Sequence, residues 1–183
     1  GIPLTELRSG TLKELDLSRK GIGLPEALVL SELVPNGSLG TLNLAKNYIG
    51  VERAAALAEA LKVPSGSLVT LDLAYNNIRA EGAAALAEAL KVPSGSLGTL
   101  NLCDNYIDDE GAAALAEALK VPGGSLGTLD VCGKYITGEA ATRLAHAVLE
   151  SKSMEVFCGI PLTELRSGTL KELDLSRKGI GLP

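Results

Sequence analysis

Residues 68–91 read LVTLDLAYNNIRAEGAAALAEALK, and residues 97–120 read LGTLNLCDNYIDDEGAAALAEALK. Both stretches begin with the pattern L-x-x-L-x-L-x-x-N-x-I and continue into a run rich in Ala and Leu. The first half predicts a short strand. The second half predicts a helix, because Ala and Leu are strong helix formers and Glu81 and Lys91 carry charges that suit the two ends of a helix dipole. Each stretch therefore predicts one strand followed by one helix.

The pattern recurs along the chain at a nearly fixed period. Its leading leucine falls at Leu39, Leu68 and Leu97, more weakly at Leu126, and in diverged form at Leu12 and Leu170. From Leu12 to Leu126 the successive spacings are 27, 29, 29 and 29 residues. A fixed period takes precedence over any local interpretation. One strand and one helix in every unit predict a parallel sheet with all helices on one side. The predicted fold is therefore an α/β solenoid in the form of a horseshoe arc, with strands on the concave face and helices on the convex face.

These motifs resemble the leucine-rich repeats of the ribonuclease-inhibitor type, which also occur in the arrays of NOD-like receptors. The resemblance implies that Asn47, Asn76 and Asn105 bond to backbone groups and form a buried ladder. Lys20, Lys134 and Lys178 replace this asparagine in units near the ends of the regular array. Because the motif residues are structural, the resemblance specifies the fold and not a function.

A second and longer repeat joins the two ends of the chain. Residues 1–25, GIPLTELRSGTLKELDLSRKGIGLP, return unchanged as residues 159–183. Between Met154 and Leu170 only 16 residues separate the strand starts, too few for a strand, a helix and two turns. We interpret 1–183 as one domain with an opening segment at 1–25, regular repeats at 26–158, and a copy at 159–183 that is a cap or an overlap. A piece of a tandem array and an engineered or idealised sequence both explain this, and we favour the second.

Composition excludes several classes of function. Of the 183 residues 46% are hydrophobic and 21% charged, with a net charge of -5, so we expect a folded chain without a basic face for nucleic acid. No apolar stretch approaches the ~20 residues of a membrane span. Three cysteines do not form a secreted disulfide framework. The expected location is therefore the cytoplasm.

Repeat proteins of this kind usually bind through their concave face. The strand positions between the leucines supply small, polar and mildly acidic side chains there, and the eighth motif position adds larger ones. The candidate binding residues are Arg19, Thr41, Asn43, Thr70, Asp72, Tyr75, Thr99, Asn101, Asp104, Thr128 and Asp130.

Catalysis and cofactors are not expected. The single histidine, His146, occupies the solvent-facing stripe of the convex helices and has no base or nucleophile beside it. Asp72 and Asp130 lie two strands apart, ~10 Å, too far to share a metal. Cys103 and Cys132 share one column on adjacent strands, close enough for a disulfide, but neighbouring parallel strands seldom orient the side chains correctly. We therefore expect reduced thiols.

Two hypotheses for function follow. The first is a non-catalytic scaffold that binds an unidentified protein through the concave face. The alternative is a self-assembly module, in which residues 1–25 and 159–183 join molecules head to tail as a ring or a fibre. The identity of a partner and the choice between these states stay open at the level of sequence.

Overall fold

The computed structural model describes residues 2–34, 37–63, 66–93, 95–132 and 135–169. Within these ranges strands and helices alternate as the repeat predicts. The strands are β1 (Glu14–Asp16), β2 (Thr41–Asn43), β3 (Thr70–Asp72), β4 (Thr99–Asn101), β5 (Thr128–Asp130), β6 (Val156–Phe157) and β7 (Ile160–Pro161). The helices are α1 (Leu4–Ser9), α2 (Leu24–Leu33), α3 (Val51–Leu61), α4 (Arg79–Leu90), α5 (Asp109–Leu119), α6 (Gly138–Glu150) and α7 (Leu162–Ser167).

All strands belong to one sheet in chain order, and β1 to β6 are parallel. The register pairs equivalent positions of successive repeats, so Thr70 lies between Thr41 and Thr99. Helices α2 to α6 pack each against the next. This confirms the predicted α/β solenoid.

The leucines of the motif build a continuous core between the sheet and the helices. In the third repeat Leu71, Leu73 and Ile78 are fully buried, and Leu86 of α4 packs in the same cluster. The core extends from Leu7 to Leu162. Burying each such side chain contributes about 1.5–3 kcal/mol, so the leucine period is the main source of stability.

The predicted asparagine ladder is confirmed. Each asparagine amide donates to backbone carbonyls of its own repeat and of the preceding one, and its oxygen accepts backbone N–H groups from the preceding repeat. The ladder residues are at most 6% exposed: Asn47, Asn76 and Asn105. They satisfy the buried backbone where the strand turns toward the helix. The lysines at 134 and 178 lie outside the described residues.

Two helical glycines mark the places where neighbouring helices approach closely. A Cβ on Gly111 of α5 would lie 2.7 Å from Ile107 Cγ2 and 3.2 Å from the Cα of Ala80 in α4. Gly82 of α4 is equally crowded, with Ile78 Cγ2 at 2.6 Å. The glycines of the repeat therefore set the spacing of the helices.

We predict that Gly111→Ala lowers the free energy of unfolding by about 1–3 kcal/mol, because the added methyl overpacks the helix interface. Helix propensity alone predicts the opposite sign, since Ala is about 0.8–1.0 kcal/mol better than Gly. Ala113→Gly, at a half-buried position of α5, should follow propensity and destabilise by about 1 kcal/mol. Denaturant unfolding measures both variants, and a stabilised Gly111→Ala protein would contradict the close approach.

The chain after Ser153 departs from the repeat. A full convex helix is absent there among the described residues, as the short spacing predicted. The segment instead forms β6, which continues the parallel sheet, then β7, which pairs with β6 in antiparallel orientation, and the six-residue helix α7. The expectation of a purely parallel sheet is therefore wrong at this end. The short connection between β6 and β7 permits only a hairpin.

The first part of the C-terminal copy is described and the rest is not. Residues 162–167 form α7 just as residues 4–9 form α1, and both helices end in a left-handed glycine, Gly10 or Gly168. The predicted closing strand at 170–175 lies outside the described residues.

Candidate functional site

The strand face is the side of the sheet opposite the helices, formed by the third and fifth motif positions. Its residues are half-buried in β2 to β5 and exposed in β1, whereas the leucine between them is buried in all five strands. The structure brings eight of the predicted site residues together on this face: Thr41, Asn43, Thr70, Asp72, Thr99, Asn101, Thr128 and Asp130.

The Asp/Asn column of the strand face has a structural task that sequence reasoning missed. In every repeat from β1 to β5 the side-chain Oδ1 accepts the backbone N–H two residues later, at 2.8–3.2 Å. This local turn is typical of Asp and Asn. At Asp16, hydrogen bonds from the Ser18 backbone and hydroxyl lower the pKa of the carboxyl. One oxygen of each side chain is thus already engaged.

The eighth motif position follows the strand and is exposed. Arg19, Lys46, Tyr75 and Asp104 all have positive φ, between 54° and 57°. This left-handed backbone turns the chain away from the sheet and presents the side chain at the rim of the strand face. The Lys46 ammonium lies 4.8 Å from the centre of the Tyr75 ring, a cation–π contact. Arg19 is separated from Tyr75 by the whole second repeat.

A cleft opens at the rim beside the carboxyl ends of β3 to β5. It encloses about 380 Å³, and we call it the tyrosine cleft. The side chains that matter for its chemistry are Tyr75, Asn77, Asp104, Tyr106, Cys132 and Tyr135.

The rings of Tyr106 and Tyr135 pack against each other in a tilted arrangement, with their centres 5.5 Å apart and their planes at 39°. Tyr75, Tyr106 and Tyr135 are each about half exposed. Sequence reasoning missed Tyr106 and Tyr135, although a signal was present, because both occupy the same position of adjacent repeats. Their apolar rings and hydroxyls together provide a surface suited to binding.

The two cysteines of the seventh motif position correct an expectation. Cys103 and Cys132, with Cα atoms 4.7 Å apart, are joined as a disulfide. The expectation of reduced thiols is wrong for this state of the molecule. The equivalent strand ends lie side by side in register, and both side chains leave the sheet on the same side, so the sulfurs meet. Cys158 is buried in the core and is not part of this pair.

His146 is exposed on α6, as the spacing predicted. The helices also carry surface ion pairs, such as Glu88 with Lys91. These pairs contribute about 0–1 kcal/mol each. No helix in the described ranges has both the length and the apolar character needed to cross a bilayer.

Comparison with known proteins identifies the fold. Residues 67–87 and 96–116 match the family model described as Leucine Rich repeat. No curated protein matches the chain in sequence.

Among solved structures, the chain is similar to a tropomodulin C-terminal domain from Caenorhabditis elegans, with a TM-score of 0.65 and 21% identity over 79% of this chain and 87% of that chain. It is also similar to Leiomodin-1 Actin-Binding Site 2 (ABS2), with a TM-score of 0.54 and 18% identity over 85% and 75%. At such identities the likeness shows the fold alone. The ribonuclease-inhibitor type and an engineered origin stay predictions.

Proposed function

Because the chain is a leucine-rich-repeat solenoid, we propose that it is a non-catalytic scaffold that binds a protein through the strand face and the tyrosine cleft at its rim. The tyrosine cleft carries this proposal. Interface hot spots are enriched in Tyr and Trp held in pockets, and a tyrosine can bury 150–250 Å². Three half-exposed tyrosines around one cleft have this character.

The strand face adds specificity more than affinity. Its threonines, asparagines and aspartates are small and half-buried. The hydrogen bond from the backbone N–H two residues later fixes the orientation of each Asp and Asn side chain. Such positions offer hydrogen bonds without the entropy cost of ordering long side chains. The tyrosine cleft then provides the apolar anchor.

Charge indicates the chemistry of the partner. The chain carries a net charge of -5, and Asp104 stands in the cleft beside the tyrosines. Asp72 and Asp130 lie on the strand face next to it. The partner surface that fits is one with an apolar or aromatic side chain flanked by Lys or Arg, because opposite charges steer the encounter and fix the register.

The expectation that the chain is not an enzyme belongs to this proposal. Among the described residues, neither the strand face nor the tyrosine cleft contains a histidine that could act as the base for a neighbouring nucleophile. Nucleophilic catalysis requires such a pair. A rigid sheet face with fixed turns suits recognition instead.

The test maps a partner onto the surface. A photo-crosslinking residue is placed at Tyr106 in one protein and at Glu88, exposed on α4, in another. We expect a partner captured from Tyr106 and not from Glu88, and Tyr106→Ala should weaken its binding by at least about tenfold, as for a hot-spot residue. Actin is a defined first probe, because one neighbour in fold is described as an actin-binding site. Equal capture from both positions, or unchanged affinity in Tyr106→Ala, would contradict the proposed surface.

A specific observation favours the alternative of self-assembly. The helices α1 and α7 have the same sequence, LTELRS, yet bury different leucines. In α1, Leu7 is 2% exposed and Leu4 is 37% exposed, whereas in α7 Leu162 is 4% exposed and Leu165 is 45% exposed. The segment therefore docks in two environments. Residues 1–25 of a second molecule could occupy the place of residues 159–183, and molar mass measured over a concentration series distinguishes this exchange from capping within one chain.

A further inference from the structure

Three potential metal ligands converge at the ends of β4 and β5. In the disulfide-bonded structure the sulfurs of Cys103 and Cys132 and a carboxylate oxygen of Asp104 all lie within 4.8 Å of one another, so the two thiols and the carboxylate stay neighbours when the bond is reduced. The two cysteines are half-buried and Asp104 is exposed. In the earlier repeats the cysteine column holds Ser18, Ala45 and Ala74, which lack a strong ligand atom. The cluster is thus a local departure from an otherwise repeated surface.

The backbone holds these three residues in fixed positions. The N–H of Cys103 donates to Asn101 Oδ1 at 3.0 Å, and the N–H of Cys132 donates to Asp130 Oδ1 at 3.2 Å. The N–H of Asp104 donates to the carbonyl of Cys132 at 3.0 Å, which ties the two repeats together. Ligands on a preorganised backbone bind without a large ordering cost.

We propose that the reduced cluster of Cys103, Cys132 and Asp104 binds a divalent metal ion that prefers thiolate ligands, and that this ion is Zn²⁺. Two thiolates and one carboxylate fill three of the four tetrahedral positions that zinc prefers. Thiolate ligands select zinc over magnesium and calcium, which take oxygen ligands. Cys132 and Asp104 both line the tyrosine cleft, so the fourth ligand would be water or a side chain of a bound protein.

Electrostatics explains why a cation belongs here. When both cysteines are thiolates, two sulfurs and one carboxylate place three negative charges at the ends of neighbouring strands, where the cysteine Cα atoms are 4.7 Å apart. Coulomb repulsion at such distances is substantial near a protein surface. A divalent cation between the three ligands replaces this repulsion with attraction. The expected site differs from the row of Asp72 and Asp130, where the wide spacing argued against a metal.

The disulfide is the second, metal-free state of the same site. A low-molecular-weight disulfide such as oxidised glutathione supplies the oxidant. One cysteine thiolate attacks it, the second cysteine resolves the mixed disulfide, and two low-molecular-weight thiols leave while the Cys103–Cys132 bond forms. The bonded sulfurs are no longer thiolates, so the cation is released. Oxidation and metal binding therefore exclude each other.

The experiment uses the full chain reduced with a phosphine and freed of metal. Zn²⁺ is titrated in competition with a chromophoric chelator, and Co²⁺ is used to detect thiolate coordination through its charge-transfer absorption. We expect one ion per chain in the wild type and in Cys158→Ala, the matched control for the third cysteine. Binding should be lost in Cys103→Ser and in Cys132→Ser, and weakened by about tenfold or more in Asp104→Asn. Protein oxidised with glutathione disulfide should bind no ion.

Circular dichroism of each variant verifies that it is folded. Failure of the reduced, folded wild type to bind either ion would overturn the site. Undiminished binding in either serine variant would overturn the cysteine assignment, and undiminished binding in Asp104→Asn would overturn the three-ligand set. None of these results depends on whether a protein partner binds the strand face.

Discussion

Asn76→Ala is expected to lower the free energy of unfolding by about 3 kcal/mol or more, because several buried backbone groups lose their partner at once. The Asn76 amide donates to the carbonyls of Leu44, Leu73 and Ala74 at 3.0, 2.9 and 3.2 Å, and Oδ1 accepts the Ile49 N–H at 2.9 Å. Asn76 is 3% exposed, so water does not readily replace these bonds. Each unsatisfied buried group costs ~1–3 kcal/mol.

Asn101→Ala is the matched control for this prediction. Asn101 is half-buried on the strand face, and its side chain takes part in one hydrogen bond, in which Oδ1 accepts the Cys103 N–H. Its loss should cost less than about 1 kcal/mol, since water can reach the freed group. Denaturant unfolding of both variants measures the difference. Equal midpoints for the two proteins would contradict the ladder assignment.

Truncation after Cys158 is expected to have the second large effect. It removes β7 and α7, including Leu162, whose burial contributes about 1.5–3 kcal/mol. It also uncovers β6 and the end of the core at Met154, which is fully buried in the full chain. An unpaired strand edge recruits other strands. We expect a lower thermal midpoint and association that increases with concentration, measured by calorimetry and light scattering.

The equivalent arginines of the two copies allow the contribution of residues 159–183 to stability to be tested by point substitution. Arg166 of α7 donates to the carbonyls of Met154, Val148, Leu149 and Ser151 at 2.7–3.1 Å, at the carboxyl end of α6, where a positive charge also suits the helix dipole.

Arg8 occupies the equivalent place in α1 and makes no hydrogen bond or ion pair with any described residue. Arg166→Ala should therefore destabilise the protein by about 2 kcal/mol, and Arg8→Ala by less than about 0.5 kcal/mol. If the truncated protein were as stable as the full chain and strictly monomeric, both the cap and the assembly roles of residues 159–183 would be wrong.

The leucine period was sufficient to predict the solenoid, because each repeat must bury the same face and a parallel register follows from identical units. Asn76 and its equivalents were predictable for the same reason. A polar residue at a fixed place in a core repeat needs the same backbone partners in every repeat. The position of His146 on the exposed stripe followed from helical spacing alone.

The candidate site was only partly predictable. The strand-face residues follow from the alternation of a strand, and the structure places them as expected. The contact between Tyr106 and Tyr135 and the joining of Cys103 to Cys132 depend on side-chain direction after the strand ends. Sequence spacing gives the column of a residue but not the direction of its Cβ once the backbone turns.

The two copies of LTELRS separate the effects of local sequence from the effects of tertiary contacts. Both copies form a six-residue helix followed by a left-handed glycine, because the signals for this structure are local. Which leucine is buried, and whether the arginine is hydrogen-bonded, depends instead on tertiary contacts. The first copy lies beside Gly37 and Ser38 at the start of the second repeat. The second copy lies at the carboxyl end of α6, where backbone carbonyls accept hydrogen bonds from Arg166. Identical segments differ because burial and hydrogen bonding depend on the surface they meet.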